Sequence, residues 1–206
     1  MLTNHTDIKA WLDRMDIKNY TINDTGTVTV DGDVNISHKG LTEIPVQFRI
    51  VYGDFNCSDN RLTSLDCSPQ KVGGSFYCYN NNLKSLNSSP RKVGVNFCCW
   101  NNSLESLKGS PQEVGGSFYC SRNSLESLEG SPREIGGNFH CYNNNNLKSL
   151  NGSPREVGGN FHCSNNSLKS LKGSPREVGG DFYCWNNKFK TSPKCDTIIN
   201  GELSWT

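Results

Sequence analysis

The sequence predicts a mainly β protein, a right-handed parallel β-solenoid of about eight coils with a small cap at each end. Three observations predict it. A motif close to "GSPREVGGNFHCSNN" (Gly152–Asn166) recurs along the chain. The first Leu of its "LxSL" segment stands at Leu62, Leu83, Leu104, Leu125, Leu147 and Leu168, in steps of 21 residues with a single step of 22. The extra residue is an Asn in "YNNNNL" (Tyr142–Leu147), so the insertion falls in a turn. Finally, the few apolar residues keep fixed columns from copy to copy, and a period of roughly 20–29 residues marks a solenoid.

Taken in chain order, the first element is a helix. In "TDIKAWLDRMDI" (Thr6–Ile17), Ile8, Trp11, Leu12, Met15 and Ile17 fall near helical spacing, behind a Thr or Asp that can cap the first turn. Next, "YTINDTGTVTV" (Tyr20–Val30) reads as two strands around Asn23-Asp24-Thr25-Gly26. Residues 1–29 are therefore expected to cap the first coil. A degenerate coil follows, because "VDGDVNISHKGL" (Val30–Leu41) fits the frame of "VYGDFNCSDNRL" (Val51–Leu62), with Val34 and Ile36 at the Phe and Cys positions.

The regular coils then run to residue 188. Their columns are Val51 to Val178, Phe55 to Phe182, Cys57 to Cys184, Asn60 to Asn187, Leu65 to Leu171 and Pro69 to Pro175. Phe-x-Cys has a period of two, so both side chains point to one side of a short strand and their neighbours to the other. Gly-Gly ahead of the strand permits a bend or a close backbone approach. One coil buries about five or six apolar side chains, at ~1.5–3 kcal/mol each. That cannot offset ~1–2 kcal/mol of backbone entropy for every residue, so coils must stack and share a core. From Phe189 the frame decays, and 189–206, with "CDTIINGELSWT", is expected to close the far end as a C-terminal cap.

The run "FHCSNNSLKSL" (Phe161–Leu171) resembles the leucine-rich repeat signature L-x-L/C-x-x-N-x-L, with Phe for the first Leu and Cys in the second position. The resemblance covers roughly residues 30–190. It implies a curved solenoid with a parallel sheet on its concave face and an asparagine ladder that satisfies backbone groups of neighbouring coils. The short Pro/Gly-rich spacer "SLxGSPxxVGG" implies extended or turn-like convex segments rather than helices. The wording also resembles uncharacterised leucine-rich repeat proteins of bacteriophages and some bacteria, which implies a phage origin and carries no activity with it.

Composition narrows the function classes. The net charge is +1, which offers no electrostatic footprint for nucleic acid. No stretch is long and apolar enough to span a bilayer, and "MLTNHTDIKAWLDRM" lacks the pattern of a secretory signal. Triplets such as Asn35-Ile36-Ser37 are then chance glycosylation matches in a chain rich in Asn and Ser. A cytoplasmic location (the host cytoplasm, if phage-encoded) is expected, with reduced cysteines.

The varying positions carry the functional expectation. After Phe stand Asn56, Tyr77, Cys98, Tyr119, His140, His162 and Tyr183. After Cys stand Ser58, Tyr79, Trp100, Ser121, Tyr142, Ser164 and Trp185. These side chains should face out from the sheet as an aromatic band, edged by the polar residues before Phe, from Asp54 to Asp181. On in-register strands ~4.8 Å apart the band would extend ~33 Å. Aromatics suit strands and stack across coils, but Tyr and Trp also dominate binding hot spots. The expected partner-binding residues are Tyr77, Tyr79, Trp100, Tyr119, His140, Tyr142, His162, Tyr183 and Trp185.

Other chemistry finds little footing. Cys57 to Cys184 read as a reduced core ladder. Cys98 should face out beside core Cys99, while Cys67 and Cys195 sit outside the ladder. No Cys-x-x-Cys pair suggests zinc. His140 and His162, with Asp181 diagonal, are conceivable metal ligands but lack a third convincing one, so no metal and no cofactor is expected. "VGG" lacks the context of a phosphate loop. No nucleophile–base–acid set stands out. The pairs from Gln70-Lys71 to Arg176-Glu177 read as a solvated far face where Arg and Glu of neighbouring coils pair weakly. The expectation is a non-enzymatic protein-binding repeat module, with no nucleic-acid or membrane partner. A small-molecule, glycan or nucleotide binder using the same face, or a self-associating structural protein, stand as alternatives.

Overall fold

The computed structural model describes residues 1–205. The chain forms a parallel β-solenoid with two sheets, one on each side of a shared core. The Phe-x-Cys positions build a nine-stranded sheet, from Val34–Asn35 through Phe55–Asn56 and its successors to Leu203–Ser204. Every neighbouring pair is parallel and in register: Phe55 lies opposite Phe76, Phe76 opposite Phe97, and so on to Phe161 opposite Phe182. The far segments are extended and carry no helix, as the spacer composition implies. They also hydrogen-bond into a second sheet of ten strands through the Val column. One valine per coil was too sparse a signal to distinguish a two-residue strand from a turn.

The core is built from columns. Phe55, Phe76, Phe97, Phe118, Phe139, Phe161 and Phe182 are fully buried. Successive rings stack at centroid distances of 5.4, 5.5, 5.1, 5.4, 5.5 and 4.9 Å. The Val, Cys and Leu columns fill the rest of the cross-section, and the Pro column from Pro69 to Pro175 is buried at the turn.

Three polar ladders join neighbouring coils, and the first two satisfy backbone groups. In the first, Asn81 shows the pattern. Its Nδ2 donates to the carbonyls of Cys57 (3.1 Å) and Cys78 (3.2 Å), and its Oδ1 accepts from the Leu62 N–H at 2.9 Å. Asn102, Asn123 and Asn187 repeat it. The second ladder uses the residue before Phe. Asp54 Oδ1 accepts from Ser75 N, Asn96 Oδ1 from Ser117 N, and Asn160 Oδ1 from Asp181 N, at 2.7–2.9 Å. The third explains the Asn doublet: the residue before the core Asn is left-handed in every regular coil, with φ of 51–57° from Asp59 to Asn186. Asn favours that conformation, and Asn80, Asn101 and Asn186 also bond to the matching residue one coil back.

The Gly-Gly pair follows from close approach. A Cβ on Gly115 would stand 2.2 Å from the Gly94 carbonyl oxygen, and one on Gly116 would stand 2.7 Å from Asn96 Oδ1. The first glycine admits the neighbouring backbone and the second admits the second ladder. Where Val95 replaces the second glycine, the adjacent ladder bond, Asn96 N–H to Ser75 Oγ, lengthens to 3.3 Å.

Both ends differ from expectation in detail. The helix spans His5–Arg14, and its cap is Asn4 rather than Thr6 or Asp7; Asn4 Oδ1 accepts from Asp7 N at 2.8 Å. Ile8, Trp11 and Leu12 bury against the first coil, where the Trp11 ring meets Phe48 edge-on at 6.4 Å. Tyr20–Ile22 and Val28–Val30 pair antiparallel, and the latter is also the first parallel strand of the Val sheet. At the far end the frame continues beyond Phe189. Ile199 pairs with Val178 and Leu203 with Phe182, so "TIINGELSW" forms one more coil in which Leu203 and Trp205 pack on the core. The last residue of the expected cap, Thr206, lies outside the described residues.

Candidate binding face of the Phe-x-Cys sheet

All nine expected contact residues lie on the outer side of the Phe-x-Cys sheet, and all are half-buried. They are half-buried because they cover one another. Tyr79 and Trp100 stack at 4.4 Å and 8°. Tyr77 meets Tyr79 edge-on at 6.3 Å, and Tyr183 meets Trp185 at 5.2 Å. Tyr119 leans on His140 at 4.9 Å, and His140 on His162 at 5.5 Å. The band is therefore pre-ordered, with little side-chain freedom left to lose on binding.

The column after Cys is interrupted by serines at three regular coils, and each is handled differently. Ser58 Oγ donates to Asn56 Oδ1 at 2.7 Å. Over Ser164 the His162 ring folds into the gap, bonds Ser164 Oγ through Nε2 at 2.5 Å, and lies between Tyr142 (4.8 Å) and Trp185 (4.9 Å). Over Ser121 no ring bonds the hydroxyl. Ser121 is 2% exposed and its Oγ has no hydrogen-bond partner. A cavity of about 200 Å³ remains there, lined by Trp100, Tyr119, Ser121, Arg122 and Tyr142.

The imidazoles are set by their surroundings. Burial, aided by the neighbouring His140, pushes the His162 pKa down to about 4. Burial also lowers His140, whose Nε2 is buried without a partner. Both rings are thus neutral at physiological pH. Asp181 does not join them: its carboxylate accepts from the Tyr183 hydroxyl at 2.6 Å and from Glu202 N at 3.0 Å. Among the described residues, no three His, Cys, Asp or Glu side chains converge as a metal-holding group.

The polar residues before Phe, from Asp54 to Asp181, edge the band and also serve the fold: one side-chain oxygen of each of Asp54, Asn96, Asn160 and Asp181 accepts from the next coil's backbone. Cys98, although it points outward, is only 7% exposed, because Tyr77 and Tyr119 flank it in register; burial pushes its thiol up to about 12. All ten cysteines are free.

A groove lies elsewhere, on the Val sheet. It measures about 810 Å³ and is lined by the column Glu113, Glu134, Glu156 and Glu177 with backbone glycines and no aromatic ring. The pairing there is not Arg with Glu across coils. Lys92 reaches Glu113 in the next coil, whereas Arg155 meets Glu156 of its own coil. These side chains are well exposed and contribute little stability. We place the candidate site on the aromatic face because, among the described residues, only there do ordered rings and an unpartnered buried polar atom coincide.

No protein-family model, curated protein or solved structure matched the chain. No helix among the described residues is long and apolar enough to cross a membrane.

Proposed function

We propose that this protein is a non-enzymatic recognition module that binds a protein partner through the aromatic face of the Phe-x-Cys sheet. The observation that carries the reading is two runs of ring-to-ring contacts on one face, Tyr77 through Tyr79 to Trp100 and Tyr119 through His140 and His162 to Tyr183 and Trp185, on an otherwise polar molecule. Pre-ordered Tyr and Trp bind at low entropic cost, and a large aromatic patch on a soluble surface marks an interaction site. The resemblance to leucine-rich repeats favours a protein as partner, and the resemblance to phage-encoded members suggests a host protein, such as a component of a defence or toxin system.

The test is an affinity capture from bacterial lysate with the wild type beside a variant in which Tyr79, Trp100, Tyr142 and Trp185 are all alanine. Circular dichroism checks that both fold, because the Phe, Cys and Asn ladders are untouched. A protein retained by the wild type alone supports the reading. Equal retention by both moves the contact to another surface.

A further inference from the structure

Building on that reading, we propose that the gap over Ser121 is a seat for one planar nitrogen-heteroaromatic side chain of the partner, a histidine or tryptophan, with a carboxylate beside it for Arg122. The protein itself shows what such a seat holds. Ser164 and Ser121 occupy the same position in their coils, each flanked one coil away on either side by aromatic rings. At Ser164 the seat is filled from within. The His162 ring sits 4.8 Å from Tyr142 and 4.9 Å from Trp185, and its nitrogen bonds the serine hydroxyl. These two separations each match one coil step of about 4.8 Å. Trp100 and Tyr142 are likewise two coils apart around Ser121, so a ring inserted there meets the same two contacts.

Among the described residues, no ring bonds the Ser121 hydroxyl as His162 bonds Ser164. Tyr119, in the position of His162, leans on His140 instead and forms one wall. The cost is an unsatisfied hydroxyl: Ser121 Oγ is buried without a partner. Buried polar atoms almost always find one, and an in-plane ring nitrogen or N–H supplies it as His162 does for Ser164. The cavity of about 200 Å³ suits one ring rather than a whole ligand.

Arg122 adds the charge. In its column every other regular coil places Asn or Asp, residues that tolerate a left-handed backbone. Arg122 holds φ of 55° without that advantage. It makes no ion pair among the described residues. A long cationic side chain held in an uncommon conformation at the rim of the open seat is a local exception with a ligand-facing explanation.

The experiment is an NMR titration following the Trp100 and Trp185 indole signals. The probes are N-acetyl-histidine and N-acetyl-tryptophan, their methylamides, N-acetyl-leucine and AMP. The wild type should show one saturable site at Trp100 for the aromatic acids, weaker for the methylamides and absent for the leucine probe. Ser121→Tyr places in the column the residue already present at Tyr79 and Tyr142, so it fills the seat with the fold kept; it should weaken binding at least tenfold. His162→Ala should gain a second site, reported at Trp185, a result misfolding cannot imitate. Unchanged binding in Ser121→Tyr, no second site in His162→Ala, or tighter binding of AMP than of either amino acid would each overturn the assignment. In the capture experiment, full retention by Ser121→Tyr with loss by the quadruple alanine variant would reject the seat and keep the face. Equal retention by the quadruple variant rejects the face itself.

Discussion

Replacing Asn81 by alanine should destabilise the fold far more than the same change at its neighbour Asn82. Asn81 is 7% exposed and bridges two coils. Its loss does not strand every group it touches. The Cys57 carbonyl keeps a bond from Asn60, and the Cys78 carbonyl keeps one from Asn102. The Tyr79 carbonyl still accepts from Asp59 N. What loses its partner is the Leu62 N–H, which bonds Asn81 Oδ1 at 2.9 Å in a buried setting. An orphaned buried N–H costs ~1–3 kcal/mol, and each redundant bond lost adds a fraction of ~1 kcal/mol. The expected total is about 2–4 kcal/mol, or about 4–16 °C in Tm for a chain of this size. Asn82 is exposed and makes no side-chain hydrogen bond, so Asn82→Ala should stay within ~0.5 kcal/mol. Urea and thermal unfolding followed by circular dichroism compare the two. Coincident melting of the two variants would falsify the ladder account, because it would mean that the Leu62 N–H finds another partner at no cost.

Gly115→Ala drives a Cβ to 2.2 Å from the Gly94 carbonyl oxygen and should cost ~1–3 kcal/mol or more. Gly40→Ala meets nothing within 4 Å and should cost only ~1–2 kcal/mol, for its φ of +66°; equal losses on denaturant melts would contradict this. With a thiol reagent, half-exposed Cys67 and Cys195 should label first, and Cys98 and the core column should stay protected until unfolding. Rapid native labelling of Cys98 would show that its aromatic cover opens. Stability should fall as pH drops from the unfolded imidazole value of about 6.5 towards the His162 value of about 4, because the unfolded chain takes up protons that the folded rings refuse. His162→Ala should flatten that pH dependence, and a wild type more stable at pH 5 than at pH 7.5 would show the sign to be wrong. Arg122→Asn should keep or raise stability, read as an unchanged or higher Tm, by restoring the residue type that suits φ of 55°.

The repeat frame and the buried columns are legible in the sequence because stacking imposes the same requirement on every coil. Phe, Cys, Leu and the core Asn recur as long as each must meet its own copy one step away. The C-terminal coil was missed for the converse reason. Ile199, Leu203 and Trp205 replace Val, Phe and Cys there, and only the pairing reveals that they keep the register. The second ladder is not legible in the sequence, because a polar residue before Phe looks alike whether it faces solvent or a neighbouring N–H. What separates the cases is the glycine beside it, which a Cβ would turn into a clash with the ladder oxygen.

The aromatic face was legible as residues but not as geometry. Columns show which rings are neighbours; they do not show which rings turn towards each other. Ser121 and Ser164 stand at the same repeat position, yet one seat is closed and the other open. The difference lies two residues upstream: the compact His162 folds back to its serine, whereas the larger Tyr119 stacks forward on His140. Since the ladders hold the backbone without help from the outward side chains, such choices can change from coil to coil with the fold kept. A solenoid of this kind therefore separates its two tasks by residue position. Inward columns are repeated because the fold needs them, and the departures from repetition on the outward side, Ser121 and Arg122 above all, are where a partner can be specified.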